Sequence, residues 1–351
     1  MKRQKFLIFS TITIIVVGIA AFFSQTQAPQ TTVEKELLFP ELSNKINDVA
    51  RIEINNSEDR NVILQKMQDG QWTVESADNY PAKFDKIKDT VVSLSELKIL
   101  AEKTDNPKRY PELGVEGPEY KDTSSLLLTL SNDTGAAIAS LIVGKPRESN
   151  AGDSRPNLYV RLPDAKNALM VEGYLQLKTD NRDWYERNVI NIPASHIQTV
   201  DIVKSTGAHL SINKDAQGDT DFKVVAGKTS SPSVLLNKLG TFLEDINVEG
   251  VHAVDSFEFP NEATKTSFKT FNGWLITVKN ILIDDKAFAH FSFTTIATSN
   301  SPTNEKSADN SETISVEEES KLWNQFLGNW VYEIPEFKFE TLDINVGQSP
   351  E

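Results

Sequence analysis

Apolar and polar residues alternate in short runs along most of the chain, the pattern of half-buried strands. Three such runs resemble one another: residues 46–54 (INDVARIEI), 192–202 (IPASHIQTVDI) and 334–344 (IPEFKFETLDI), the last two aligning without a gap at a spacing of 142. The likeness of the first two continues downstream. Residues 61–67, a turn at Asp69-Gly70 and residues 71–75 read as a hairpin, and residues 208–214 and 221–225 repeat it with Phe222 in the place of Trp72. Apolar positions then recur every three or four residues: Phe84, Ile87, Val91, Leu94 and Leu97 predict a helix over 81–100. Val234, Leu235, Leu239, Phe242 and Leu243, with Pro232 near the start, predict another over 231–245. Two strands come after each helix, with 125–131 matched to 273–279 and 136–144 to 287–295. A helix closes each unit, at about 173–188 and 316–331, the second acidic in its first turn (Glu317, Glu318, Glu319), which suits the helix dipole.

The pattern β-β-β-α-β-β(-β)-α thus runs twice, at a period near 145. It predicts an α+β protein of two tandem, similar domains, residues 37–191 and 192–346, each an antiparallel sheet with helices on one face. The copies are expected to differ after their fifth strands. The first continues with strands at 157–162 and 168–171, whereas the second has residues 297–313, rich in Ser, Thr and Asn without a large apolar side chain, expected to be a disordered loop.

The N-terminus departs from this pattern. Residues 1–5 are basic, and residues 6–23 form an uncharged run of 18. At about 1.5 Å per residue a helix of that length spans about 27 Å, close to a bilayer's hydrocarbon core. The run exceeds the apolar stretch of a typical signal peptide, and the nearest small-residue cleavage site, Thr26-Gln27-Ala28, is followed by Pro29. An uncleaved anchor is the favoured reading and a cleaved signal the alternative. Lys2, Arg3 and Lys5 orient the N-terminus to the cytoplasm, so either reading places the rest outside the inner membrane, in the periplasm. Residues 24–36 are polar and read as a tether.

Charge sharpens the picture. The net charge is −14, and removing the three bases of residues 1–30, which hold no acid, leaves −17 on the rest. So negative a body disfavours nucleic-acid binding. The chain has no cysteine, which excludes disulfides, thiolate metal sites and thiol nucleophiles.

Candidate chemistry is sparse. His196, His209, His252 and His290 make no ligand pair of short spacing. Asp215, Asp219 and Asp221 are spaced like part of a calcium loop but lack its glycine and terminal glutamate, and read as a polar turn. No phosphate loop, dinucleotide fingerprint, nucleophile elbow or zinc motif occurs. Neither metal nor cofactor is expected. Asp180, Arg182, Asp183, Glu186 and Arg187 cluster where the units meet, and read as ion pairs at a junction. Trp184, Tyr185, Trp323 and Trp330 read as core packing near the ends of the units. Arg147 and Arg155 flank a glycine-containing loop that reads as an ordinary connection between strands or, alternatively, as a contact loop for a partner. The residues set apart for interaction or junction are therefore Arg147, Arg155, Arg182, Asp183 and Trp184.

Several short stretches carry a family resemblance. They are Leu38-Phe39-Pro40-Glu41-Leu42; Asp69-Gly70-Gln71-Trp72; Tyr110-Pro111-Glu112-Leu113-Gly114-Val115 with Pro118; Ile142-Val143-Gly144; and Leu158-Tyr159-Val160. With the basic start and the apolar run, they resemble the bacterial "domain of unknown function 4340" family over about residues 38–345, most sharply in the first unit. The resemblance implies an anchored extracytoplasmic protein accompanying an ABC-type export system similar to that of the gliding-motility apparatus. It supplies no catalytic residues. The expected function is therefore that of a noncatalytic accessory protein, anchored through residues 6–23 and partnered with an ABC-type permease and ATPase. The alternative is a periplasmic glycan- or lipid-binding protein using a cleft between the units.

Overall fold

The computed structural model describes residues 35–58, 61–147, 156–296 and 315–346. The expected anchor and most of its tether, Arg155 and the loop 297–313 lie outside the described residues. Among those described, no helix is long and apolar enough to cross a membrane. The chain is α+β: antiparallel sheets dominate, with a few helices.

A one-turn helix α1 (Leu42–Lys45) leads into β1 (Arg51–Asn55), where Ile52 and Ile54 are buried and Arg51 and Glu53 point the other way. The hairpin partners β2 (Val62–Lys66), β3 (Trp72–Val74) and β4 (Tyr80–Pro81) build outward on one side. Helix α2 (Phe84–Ser95) then crosses the inner face on Ile87, Val91 and Leu94, delivering β5 (Lys98–Thr104) to the opposite edge. From there the chain passes through the short helix α3 (Tyr110–Leu113) and re-enters the middle as β6 (Leu126–Ser131). It finishes through β7 (Ala137–Arg147), β8 (Asn157–Arg161) and β9 (Ala168–Glu172). The strand order is β4-β3-β2-β1-β6-β7-β8-β9-β5.

A ribbon of β10 (Asn188–Ile190) leads to the second sheet. There β11 (Ile197–Val203), β12 (His209–Asn213) and β13 (Lys223–Gly227) come first, then helix α4 (Ser233–Gly240). Next are β14 (Ile246–Asn247), which pairs with β10, and the edge strand β15 (Gly250–Ala253). Then come β16 (Thr264–Thr270), β17 (Trp274–Ile283), β18 (Lys286–Thr295), helix α5 (Val316–Leu327) and β19 (Trp330–Ile334). A last helix, α6 (Glu336–Leu342), closes the described chain. The order is β13-β12-β11-β16-β17-β18-β19-β15. Strand for strand this matches the first sheet, apart from β4, which the second lacks; of the helices, α3 is inserted only in the first and α5 only in the second.

That match corrects the alignment expected from sequence. Residues 125–131 correspond to β16, not to 273–279; β7 corresponds to β17, and β8 and β9 to β18 and β19. The strands thought peculiar to the first copy therefore have counterparts. β16 escapes a hydrophobic pattern because its inward positions are Thr266, Phe268 and Thr270, with only one large apolar side chain. Two further expectations fail. No helix forms over 173–188: this stretch is irregular around a single 3-10 turn at Asn181–Asp183, where the Asp180 carboxylate accepts from the Arg182 amide. The stretch 334–344 is not a strand, since Pro335 starts α6, just as Pro193 starts the 3-10 turn Ala194–His196. The shared Ile-Pro thus encodes a helical start, and only in the earlier copy does a strand come after it.

The helices do not all lie on one face. α2 packs into the main core, while the α3 crossover covers the opposite face, where Tyr110 and Val115 meet Ile142 and Ala168 in a second small cluster. The main core runs continuously from Leu38 to Ile344 and includes inward residues of both sheets. α5 is stitched to β18 by Asn324, whose side-chain amide accepts from the Phe293 amide at 2.7 Å and donates to the Phe293 carbonyl. It thereby replaces a neighbouring strand where β19 stops short.

Candidate functional site

The two sheets meet over residues 178–196 and the β4 edge. Trp184 is fully buried; its indole donates to the Lys178 carbonyl at 3.0 Å, and the Lys86 ammonium lies 4.9 Å from its ring centre. Burial lowers the Lys86 pKa, against the opposing pull of Asp183. Asn181 clasps the first sheet by accepting from Ser76 Oγ at 2.7 Å and donating to the Ser76 carbonyl at 2.8 Å. Asp78, held at φ 53°, reaches across to accept from the Ala253 amide of β15 at 3.0 Å. Beneath these contacts lies an aromatic knot. The Tyr80 ring packs edge-on against Tyr185 at 5.1 Å and Trp330 at 4.9 Å, and reaches Tyr332 at 6.2 Å.

Burial pushes Tyr80 and Tyr185 up to about 12, and raises Tyr332 as well. The hydroxyls of Tyr80 and Tyr332 are buried without a hydrogen bond of regular geometry; the interaction they have is with each other. These phenols stay neutral in the folded chain while the unfolded chain ionises from pH 10 upward, so the unfolded state binds fewer protons there and stability falls as pH rises. The contribution is complete below about pH 10 and disappears towards pH 12, at roughly 2–3 kcal/mol for each of Tyr80 and Tyr185. Urea midpoints are expected to be flat from pH 8 to 9.5 and to drop steeply above it, less so in Tyr80→Phe. A midpoint unchanged to pH 11.5 would contradict this.

Above the knot a cleft of about 500 Å³ opens between the sheets, lined from the first sheet by Asn61 and Ser76, from the connection by Asp180 to Arg182 and Tyr185, and from the second sheet by Glu249, His252 and Glu333. Arg182 grips Asp180 through Nε and Nη2, at 2.9 and 2.6 Å from Oδ2, and this holds the Asp180 carboxyl below its ordinary range. Glu333 pairs with Lys286 at 3.0 Å.

The residues singled out from sequence therefore separate. Arg182 faces the cleft. Asp183 stands beside Lys86 at 3.9 Å, and Trp184 is sealed in the junction, with no surface to offer a partner. Arg147 ends β7 at the other side of the first sheet, with Nη1 3.8 Å from the Met170 sulfur. Asn61, Glu249 and His252 were missed, because only the fold brings them to Arg182. The calcium-like stretch closes on itself, with Asp219 accepting from the amides of Asp215 and Ala216. No group of three metal-ligating side chains occurs among the described residues.

The model of a family described as a domain of unknown function, DUF4340, matches residues 72–265, more than half of the chain. The chain belongs to this family. The DUF4340 match begins at β3 and ends inside β16, so it spans the junction and includes most of the cleft's lining. No curated protein and no solved structure matches the chain. Of the five stretches that carry the DUF4340 resemblance, two place Leu38, Leu42 and Trp72 in the main core, while the other three meet on the outer face of the first sheet. Leu113, Val115 and Tyr159 pack there with Ile142, and a Cβ on Gly144 would stand 2.5 Å from the Leu113 carbonyl oxygen. These three stretches hold the crossover down, and none of them lines the cleft.

Proposed function

We propose that the chain is a noncatalytic accessory protein of an ABC-type transport or envelope complex, held on the outer face of the inner membrane by residues 6–23. The apolar run behind Lys2, Arg3 and Lys5 supports the anchor, and membership of DUF4340 supports the setting. The matching strand orders support two tandem domains descended from one duplicated unit. The observation that carries the noncatalytic reading is how the junction uses its charges. Asp180 binds Arg182, Asp183 neighbours Lys86 and Glu333 binds Lys286, so each of these three carboxylates is taken up by a base. An acid–base pair needs two groups with pKa values driven apart.

The test is a pull-down of the tagged full-length protein in mild detergent, with partners identified by mass spectrometry. Permease and ATPase subunits are expected, and are expected to be lost when residues 1–30 are exchanged for a cleaved signal. A preparation free of both subunits would overturn the reading. The alternative of a periplasmic glycan- or lipid-binding protein would use the same cleft, whose polar side chains, Asn61 and Arg182 among them, support the glycan half of that reading.

A further inference from the structure

We propose that the cleft between the sheets is a binding site for a polyhydroxylated ligand, a short carbohydrate segment. Polar side chains dominate the lining of its 500 Å³, among them Asn61, Thr179, Arg182, Tyr185, Glu249 and His252. Several of them are uncommitted. Arg182 uses Nε and Nη2 on Asp180, which leaves Nη1 free and fixes the plane of the guanidinium. The Glu249 carboxylate makes no hydrogen bond or ion pair among the described residues, although it lies in the field of Arg182.

Tyr185 is the most telling. It is 1 % exposed, it lines the cleft, and its hydroxyl has no hydrogen-bond partner among the described residues. The hydroxyl is not one of the buried, unpaired polar atoms of the junction, so it reaches the cleft, where water or a ligand hydroxyl can meet it. Burial pushes its pKa up to about 12, so at neutral pH the phenol keeps its proton and can donate a hydrogen bond.

The ligand class is set by what the lining contains. A donor (Arg182) stands beside an acceptor (Glu249) and groups that can serve as either (Asn61, Thr179, Tyr185, His252). A sugar hydroxyl both donates and accepts and so matches such a mixture. A polyanion does not: one arginine stands among three carboxylates, Asp180, Glu249 and Glu333. The clasped Asn181 and the Asp180–Arg182 pair hold the walls in place before a ligand arrives, which reduces the ordering that binding requires.

The experiment is isothermal titration of the full-length protein in detergent with two probes, chitobiose and cellobiose. Saturable binding of at least one is expected, weakened tenfold or more in Tyr185→Phe or in Glu249→Gln, with thermal unfolding of each variant confirming an intact fold. Absence of saturable binding for both disaccharides would overturn the proposal. So would binding that survives unchanged in both variants. The result does not depend on anchoring or on transport partners, which the pull-down tests separately.

Discussion

Tyr80→Ala is expected to destabilise the protein by about 3–5 kcal/mol and to split its unfolding into two transitions. Tyr80 is 1 % exposed and belongs to β4, the strand with no counterpart in the second sheet. Its ring touches Tyr185 from the connection and Trp330 and Tyr332 from β19, so one side chain bridges all three parts of the junction. Truncation leaves a cavity at the point where the two halves of the core join, and the polar contacts of Asn181 and Asp78 across the junction do not fill it. Each sheet has its own inner layer of apolar residues and can persist alone for a range of denaturant. Tyr80→Phe is the control. It keeps the ring and removes a buried hydroxyl that lacks a regular hydrogen bond, so it is expected to change stability by less than about 1 kcal/mol. The measurement is denaturant unfolding followed by tryptophan fluorescence and by circular dichroism. Coincident single transitions for the alanine variant, at an unchanged midpoint, would show that the sheets are held together by other contacts.

How much of this was legible in the sequence depends on the range over which each feature is encoded. Strands such as β1, with Ile52 and Ile54 alternating against Arg51 and Glu53, announce themselves in five residues. So does α5, whose N-terminus carries a reciprocal cap between Ser315 and Glu318. β16 does not, because in the second sheet buried threonines occupy inward positions and the pattern detects only bulk. The stretch 173–188 has helix-like spacing, but the Asp180 side chain captures the Arg182 amide and the indole of Trp184 captures the Lys178 carbonyl. Those side chains compete with helical hydrogen bonds and prevail. Within the cleft, Asp180 and Arg182 were visible because they are neighbours in sequence. His252 comes from the edge strand β15, which the alternation pattern passed over, Glu249 from the bend just before it, and Asn61 from the foot of β2.

The family signatures lead to a second large effect, at a residue outside the motifs themselves. Arg161→Met is expected to cost about 3–5 kcal/mol, because it removes a buried cation that serves several backbone acceptors at once. Arg161 ends β8, 7 % exposed, with no carboxylate in contact. Its guanidinium instead donates to four backbone carbonyls: Val115 and Glu116 at 2.9 Å, Pro163 and Ala165 at 3.2 Å. The ring of Tyr110 covers it at 4.8 Å. Two of those acceptors belong to the crossover that begins with Tyr110-Pro111-Glu112-Leu113-Gly114-Val115, so this one side chain fastens the motif to the sheet. Methionine preserves the apolar stem but leaves the carbonyls without partners beneath the crossover. Arg161→Lys is expected to recover less than half of the loss, since one ammonium cannot reach acceptors spread around a planar fork. Guanidinium unfolding gives the global cost, and hydrogen exchange locates it: amides of residues 110–120 are expected to lose protection before those of β6 and β7. A methionine variant within about 1 kcal/mol of the parent, with its crossover amides still protected, would mean that the apolar contacts of Tyr110 and Val115 with Ile142 suffice to hold the crossover.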